Sequence, residues 1–255
     1  MPPCAYHITE RADEAKLPFD PYLQPRPSAG LLDYFEFGLL LGIPGFYRAQ
    51  DLRLTEIAPC PPHFDGVFLS HAHREHSYNL RYLDPEIPLY LGSTTQEILQ
   101  IWEDTGWVFK LGEHTRLEVF RTSQVIRIGP DSEVWPVHVD HSIPGAYGFV
   151  AVTGKGLVVY SGDLRFHGPA SRLSQKFVRA AAMARPKALL LEGTRVNSER
   201  RDSEEDVFCR SVDLVKQNSG LVVVVQSPRD FDRIRTFWRV ARETGRKLVV
   251  PLRTA

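Results

Sequence analysis

Residues 70–76 read Ser-His-Ala-His-Arg-Glu-His, directly after the apolar run Val67-Phe68-Leu69. Three histidines and a glutamate fall within six residues, in the spacing H-x-H-x-E-H. Imidazole is the commonest side-chain ligand for zinc-like ions, and a carboxylate adds a hard anionic donor. The apolar run reads as a buried strand. A loop leaving it lets His71, His73 and His76 converge, because no regular period holds them apart. A histidine-rich surface turn is the plain alternative, but packing gives little reason for four donors so close together. The chemistry is metal binding, by one ion or two, and it needs further ligands from elsewhere.

A two-metal hydrolytic site takes about six to eight protein ligands, with a carboxylate bridging ions about 3.5–4 Å apart. Two downstream places qualify. In Val137-His138-Val139-Asp140-His141-Ser142-Ile143-Pro144 a strand gives way to a proline-containing turn. His141 sits at the strand's end and is preferred over His138, which lies inside the strand and faces a sheet surface. In Leu157-Val158-Val159-Tyr160-Ser161-Gly162-Asp163 an apolar strand ends in glycine and then aspartate. The glycine permits close backbone approach and Asp163 emerges at the strand mouth; capping the next turn is its plainer role. His63 and His114 read as surface residues, and His167 as a weak candidate for the rim. The H-x-E of a zinc nucleobase deaminase is present in His73-Arg74-Glu75, but no C-x-x-C follows.

Strands and helices must carry these loops. The sequence predicts strands at 66–70, 89–92, 117–121, 134–139, 147–153, 157–161, 188–192, 221–226 and 247–250, from β-branched and aromatic content punctuated by Gly, Pro and Asp. Helices are expected at 31–40, at 95–105 with a Thr94/Glu97 capping box and a Gly106 stop, at 171–184, and from Ser203 with Asp206 three residues on. On this last helix Val207, Phe208, Ser211 and Leu214 share one face. Thr153-Gly154-Lys155-Gly156 joins two strands and opens no helix, so it is a hairpin turn and not a phosphate loop.

Ten of the nineteen prolines lie at or before Pro62, so residues 1–62 are expected to be an irregular segment wrapped over the domain. The 31 basic and 31 acidic residues cancel, and overall charge argues neither for nor against nucleic acid. Cys4, Cys60 and Cys209 are too few and too scattered for a disulfide framework. The first residues lack a secretory pattern and the apolar runs are far too short to span a bilayer, so a soluble cytoplasmic protein is expected. Residues 230–244 form an amphipathic helix with an apolar stripe of Phe231, Ile234, Trp238 and Ala241. A basic stripe follows Arg235, Arg239, Arg242 and Arg246. From Ser227 onward eight basic residues face three acidic ones. A solvated face is the ordinary reading of such a stripe; a track for a phosphate backbone is the functional one.

Taken in order, His71-x-His73-x-Glu75-His76, His141 and Asp163 resemble the metallo-β-lactamase superfamily. The phrases His141-Ser142-Ile143-Pro144, Gly162-Asp163-Leu164-Arg165, Leu191-Glu192-Gly193-Thr194 and 203–207 resemble its ribonuclease J-like, β-CASP branch. The stretch 226–250 resembles the opening strand, helix and strand of the β-CASP insert. The resemblance implies an α/β fold, an αββα sandwich with the metals at one edge. A metallo-β-lactamase-like domain would occupy 63–226, and the start of a β-CASP-like domain 227–255.

It also implies a metal-dependent hydrolase of phosphodiesters, a ribonuclease acting on RNA or single-stranded nucleic acid, without a membrane partner and with self-association as an option. The alternatives are a hydrolase of a small ester, thioester or phosphodiester, and a nucleic-acid-binding homologue without catalysis. By the same resemblance His71, His73 and His141 would hold one zinc, Glu75 and His76 a second, and Asp163 would bridge; manganese is the other candidate ion. Glu75 would double as the catalytic proton relay. Glutamate stands at 75 where the family has aspartate. A fragment truncated at both ends is expected, because the family's opening aspartate-glycine strand and closing histidine are not found in the 255 residues.

Overall fold

The computed structural model describes residues 30–250 apart from 107–110, 195, 198, 200 and 201. Residues 1–29 of the proline-rich start, with Cys4, lie outside the described residues.

Two sheets face each other. The first is parallel, in the order β1 (Val67–Leu69), β2 (Leu89–Gly92), β3 (Leu117–Phe120). The second runs β4 (Ile126–Ile128), β5 (Ser132–His138), β6 (Tyr147–Thr153), β7 (Gly156–Tyr160), β8 (Ala188–Leu190). It is antiparallel until β8, which joins β7 in parallel. The period-two alternation of strands sorts the side chains into layers. Phe68 on β1 and Phe120 on β3 point inward and meet Ile126, Val134, Phe149 and Ala151 of the second sheet. Val67, Leu69, Leu89 and Leu91 point outward, under α1 (Leu31–Glu36) and α3 (Ser93–Asp104), where Leu31, Tyr34, Leu99 and Trp102 cover them. On the far side Val150 and Val159 pack against Phe177 of α4 (Ser171–Ala184). The layers are helix, sheet, sheet, helix, as expected. Tyr34, Phe46, Tyr47, Leu52 and Phe64 join the outer core, so residues 31–64 wrap the first sheet with little regular structure.

Several expectations are corrected. α1 ends at Glu36, short of Leu40, with Gly38 at φ +62°. α3 starts at Ser93 with Gly92 as its N-cap and no side-chain cap, so the Thr94/Glu97 capping box does not form. β4 was not anticipated; three residues, one of them arginine, give too short a pattern. Residues 221–226 and 247–250 form no strand: among the described residues no strand pairs with them. Leu221, Val223 and Val225 are solvent-exposed. Of the expected β-CASP-like opening only the helix is formed, α6 (Phe231–Glu243).

α6 also presents a different face. Thr236, Val240 and Ala241 are buried, whereas Phe231 and Trp238 are substantially exposed. The cause is its pairing with α5 (Glu204–Lys216). Arg233 forks onto Glu204 at 2.8–3.2 Å, and Thr236 Oγ1 donates to the same carboxylate at 2.8 Å. Satisfying that half-buried charge sets the rotation of the helix. On α5 the Ser203/Asp206 capping box forms, while Leu214 faces solvent. Among the described residues no helix is long and apolar enough to cross a membrane.

Candidate metal centre

Three strand ends meet at one edge of the sandwich. The Tyr147 N–H, opening β6, donates to the Ser70 carbonyl just past β1, and so ties the second sheet to the first. Gly162, two residues past β7, sits against both. Its φ is +56°, and a Cβ there would come within 2.6 Å of the Tyr147 carbonyl and 3.1 Å of Ser70 Cβ. Only glycine fits without strain, and its left-handed turn aims Asp163 across the edge. His141 arrives from beyond the end of β5. His71 and His73 come from the loop after β1, but His76 is turned inward by a single helical turn, α2 (Arg74–Ser77), and not by loop freedom alone. Ser77 Oγ anchors that turn on the Ala72 and His73 carbonyls.

The side chains then converge. His73 Nδ1 lies 3.1 Å from His71 Nε2 and 2.9 Å from His141 Nε2. Asp163 Oδ2 is 3.4 Å from His76 Nε2, 3.7 Å from His141 Nε2 and 3.9 Å from His71 Nε2. Two overlapping groups result, His71/His73/His141 and His71/His76/Asp163, each with its ligand atoms within 4.8 Å of one another. Ser70 Oγ, 2.9 Å from His71 Nδ1, fixes that ring with Nε2 inward, and the main chain of Arg229 accepts a hydrogen bond from the His73 ring.

Burial is the first cause that lowers the histidine pKa values: His71 goes well below the ordinary 6.5, His73 is lowered, and His141 falls to about 3. Each neighbouring imidazole adds to the effect for His71. Asp163 is pushed up by burial, but hydrogen bonding and charge from His76 hold it below the usual carboxylate value. Burial thus favours neutral imidazoles at His71, His73 and His141 beside an ionised Asp163, the protonation state in which such side chains ligate a metal. Nitrogens opposed at 2.9–3.1 Å cannot all find donors in each other. Around tetrahedral zinc, ligand atoms stand roughly 3.3 Å apart, so a cation fits these residues.

Not every candidate enters. Glu75 Oε1 is 4.0 Å from His73 Nδ1, and the residue belongs to neither group. His138 stacks on Tyr147 at 4.0 Å and meets Thr122 Oγ1 at 2.6 Å on the sheet surface. His63 is exposed and stacks on Phe64. His114 is half-buried, and burial lowers its pKa, so it is not the surface residue expected. His167 lines a separate cavity of about 460 Å³ between α5 and α6, with Ser203, Arg235 and Arg239. Arg165, overlooked in the sequence, is the side chain that joins the His141 and Asp163 loops: it pairs with Asp140 at 3.3 Å and with Asp232 of α6. Its place two residues after Asp163 was the available signal.

The family model for the beta-lactamase superfamily domain matches residues 39–208, two thirds of the chain and all five converging ligands. The chain belongs to the metallo-β-lactamase superfamily. Ribonuclease J 2 of Streptococcus pyogenes serotype M3 is 28% identical over 191 residues, 72% of this chain and 34% of that protein. This likeness supports the ribonuclease J-like branch. A crystal structure of a protein of unknown function from Enterococcus faecalis V583 matches with a TM-score of 0.71 and 26% identity, over 98% of this chain and 62% of that one. The chain thus spans about a third of the curated relative and about three fifths of the solved one. The metallo-β-lactamase fold implies metal ions, and the two His/Asp groups at this edge are the residues that could hold them.

Proposed function

We propose that the chain hydrolyses phosphodiester bonds in RNA, as a ribonuclease J-like enzyme. The observation that carries this reading is the convergence of His71, His73, His76, His141 and Asp163 on one buried edge. The likeness to ribonuclease J 2 supports RNA as the substrate class.

His71, His73 and His141 would hold one zinc ion, His76 with Asp163 a second, and manganese is the alternative. When bound, such ions supply Lewis acidity that acidifies water and offsets charge on a phosphoryl oxygen. The chain's own residues set the stage. Ser70 orients His71, and the main chain of Arg229 orients His73, as outer partners do in metal sites. Asp163, held ionised, keeps the centre's positive charge in check. Burial first, and then the nearby charge of Arg74, lower the Arg229 pKa, and the two side chains would offer guanidinium groups to a phosphate beside the ligands. Glu75, 4.0 Å from His73 at the rim, would take a proton from water as its oxygen attacks phosphorus, and pass it to the ester oxygen that leaves as the P–O bond breaks.

The test is 5′-labelled RNA beside a chromogenic phosphodiester, with zinc or manganese and with a chelator. Chelator-sensitive shortening of the RNA is expected. Cleavage of the chromogenic diester alone would replace this reading with a small-substrate hydrolase. A second reading, a nucleic-acid-binding homologue without turnover, draws on the position of Glu75 outside both ligand groups. Metal uptake and RNA binding without cleavage of either substrate would favour it.

A further inference from the structure

One short turn of chain, residues 229–232, reaches all three arms of the centre. The Arg229 main chain accepts from the His73 ring. The Phe231 N–H donates to the Ser142 carbonyl at 3.0 Å, one residue past His141. Asp232 pairs with Arg165, two residues past Asp163. Arg165 in turn grips the His141 arm: its N–H donates to the Asp140 carbonyl at 2.9 Å and its guanidinium reaches Asp140 Oδ1 at 3.3 Å. The side chain of Arg165 is 10% exposed and that of Asp140 1%. Gly168 lies so close over this pair that a Cβ would collide with both side chains.

We propose that the first turn of α6 positions the metal centre, with Asp232 acting as a positioning residue through Arg165 on His141 and Asp163. This rests on the reading of the cluster as a metal centre. Past His138 and Tyr160 each ligand arm keeps one further main-chain bond, Val139 N–H to the Ala146 carbonyl and Ser161 N–H to the Leu190 carbonyl, and beyond these it depends on bonds outside the strand ladders. A single guanidinium between two carboxylates supplies such bonds, and it joins both arms to a helix outside residues 39–208. Metal ligands need placement to about 0.5 Å, and loss of an outer partner typically costs 10–100-fold in metal affinity. The contacts that dock the helix itself, Arg233 and Thr236 on Glu204, lie farther along and do not touch the arms.

The experiment compares the full chain with Asp232→Ala, Asp232→Glu and Glu204→Ala. Zinc affinity is read by chelator competition, the cobalt(II) absorption spectrum reports geometry, and thermal unfolding of the metal-free chain reports stability. Asp232→Ala should weaken zinc binding about tenfold or more and alter the cobalt spectrum, and Asp232→Glu should recover most of it. Glu204→Ala should lower the melting temperature and leave zinc affinity within about twofold. If Asp232→Ala does not fold, Asp232→Asn, which keeps size and shape, carries the same expectation. A melting shift with unchanged zinc affinity and cobalt spectrum would overturn the proposal. A wild-type chain that takes up no zinc would instead remove the metal-centre reading itself.

Discussion

His141 Nε2 lies 2.9 Å from His73 Nδ1, although 68 residues separate them in the chain. That approach exists because the loops after β1 and β5 open on the same edge, tied by the Tyr147 to Ser70 hydrogen bond between the two sheets. Removing one member should therefore disable the others as ligands. For His141→Ala we expect zinc affinity to fall at least 100-fold, measured by chelator competition, with the fold retained by circular dichroism.

Gly162 is expected to tolerate no side chain. In Gly162→Ala the Cβ meets the Tyr147 carbonyl in a left-handed turn, and the strain should cost about 2 kcal/mol in urea unfolding. Because Asp163 follows directly, zinc affinity should fall with it. Wild-type stability in the variant would show that the turn relaxes freely.

The pH response of the metal-free chain follows from the buried imidazoles. In the unfolded chain they take up protons as the pH falls through 6.5. In the folded chain they resist to far lower pH, with His141 at about 3. The unfolded state then binds more protons across that window, so stability falls as the pH drops from 6.5 toward 3. Melting temperatures between pH 7 and pH 5 check this: a steady decline is expected, and a rise on acidification would contradict it. Zinc should hold below pH 6.5 for the same reason, since protons compete late.

Arg235 and Arg239 lie on one stripe of α6 but differ in partners. Arg239 bonds Glu205 at 3.0 and 3.2 Å and stacks on Phe208, whereas Arg235 is exposed along the cavity rim. If RNA follows this helix, Arg235→Gln should reduce the salt slope of RNA binding by about one, and Arg239→Gln should change it less. Equal slopes for the wild type and Arg235→Gln would mark the stripe as solvated only.

Much of the centre was legible because its ligands are local or sit at strand ends. Histidines at 71, 73 and 76 announce themselves by spacing, and position at the strand's end together with the family resemblance favoured His141 over His138, which stacks on Tyr147. The layered fold was implied by the family resemblance, and strand composition located most of its strands; the structure adds that Phe68 faces inward and Val67 and Leu69 outward. What was missed depends on tertiary partners. The apolar run 221–226 has strand composition but no partner among the described residues, and β-propensity alone makes no strand. The face of α6 was misjudged because Glu204, 29 residues from Arg233, decides which side is buried. Arg165 was quoted in a motif without a role, since nothing local reveals that Asp140 and Asp232 close on it.

The most direct measurement is metal content per chain, taken by elemental analysis after zinc loading and gel filtration, for the wild type and Asp163→Asn in parallel. The account predicts about two zinc ions in the wild type and a loss of at least one in the variant. Less than about half an equivalent in the wild type, under conditions where it is folded, would contradict it.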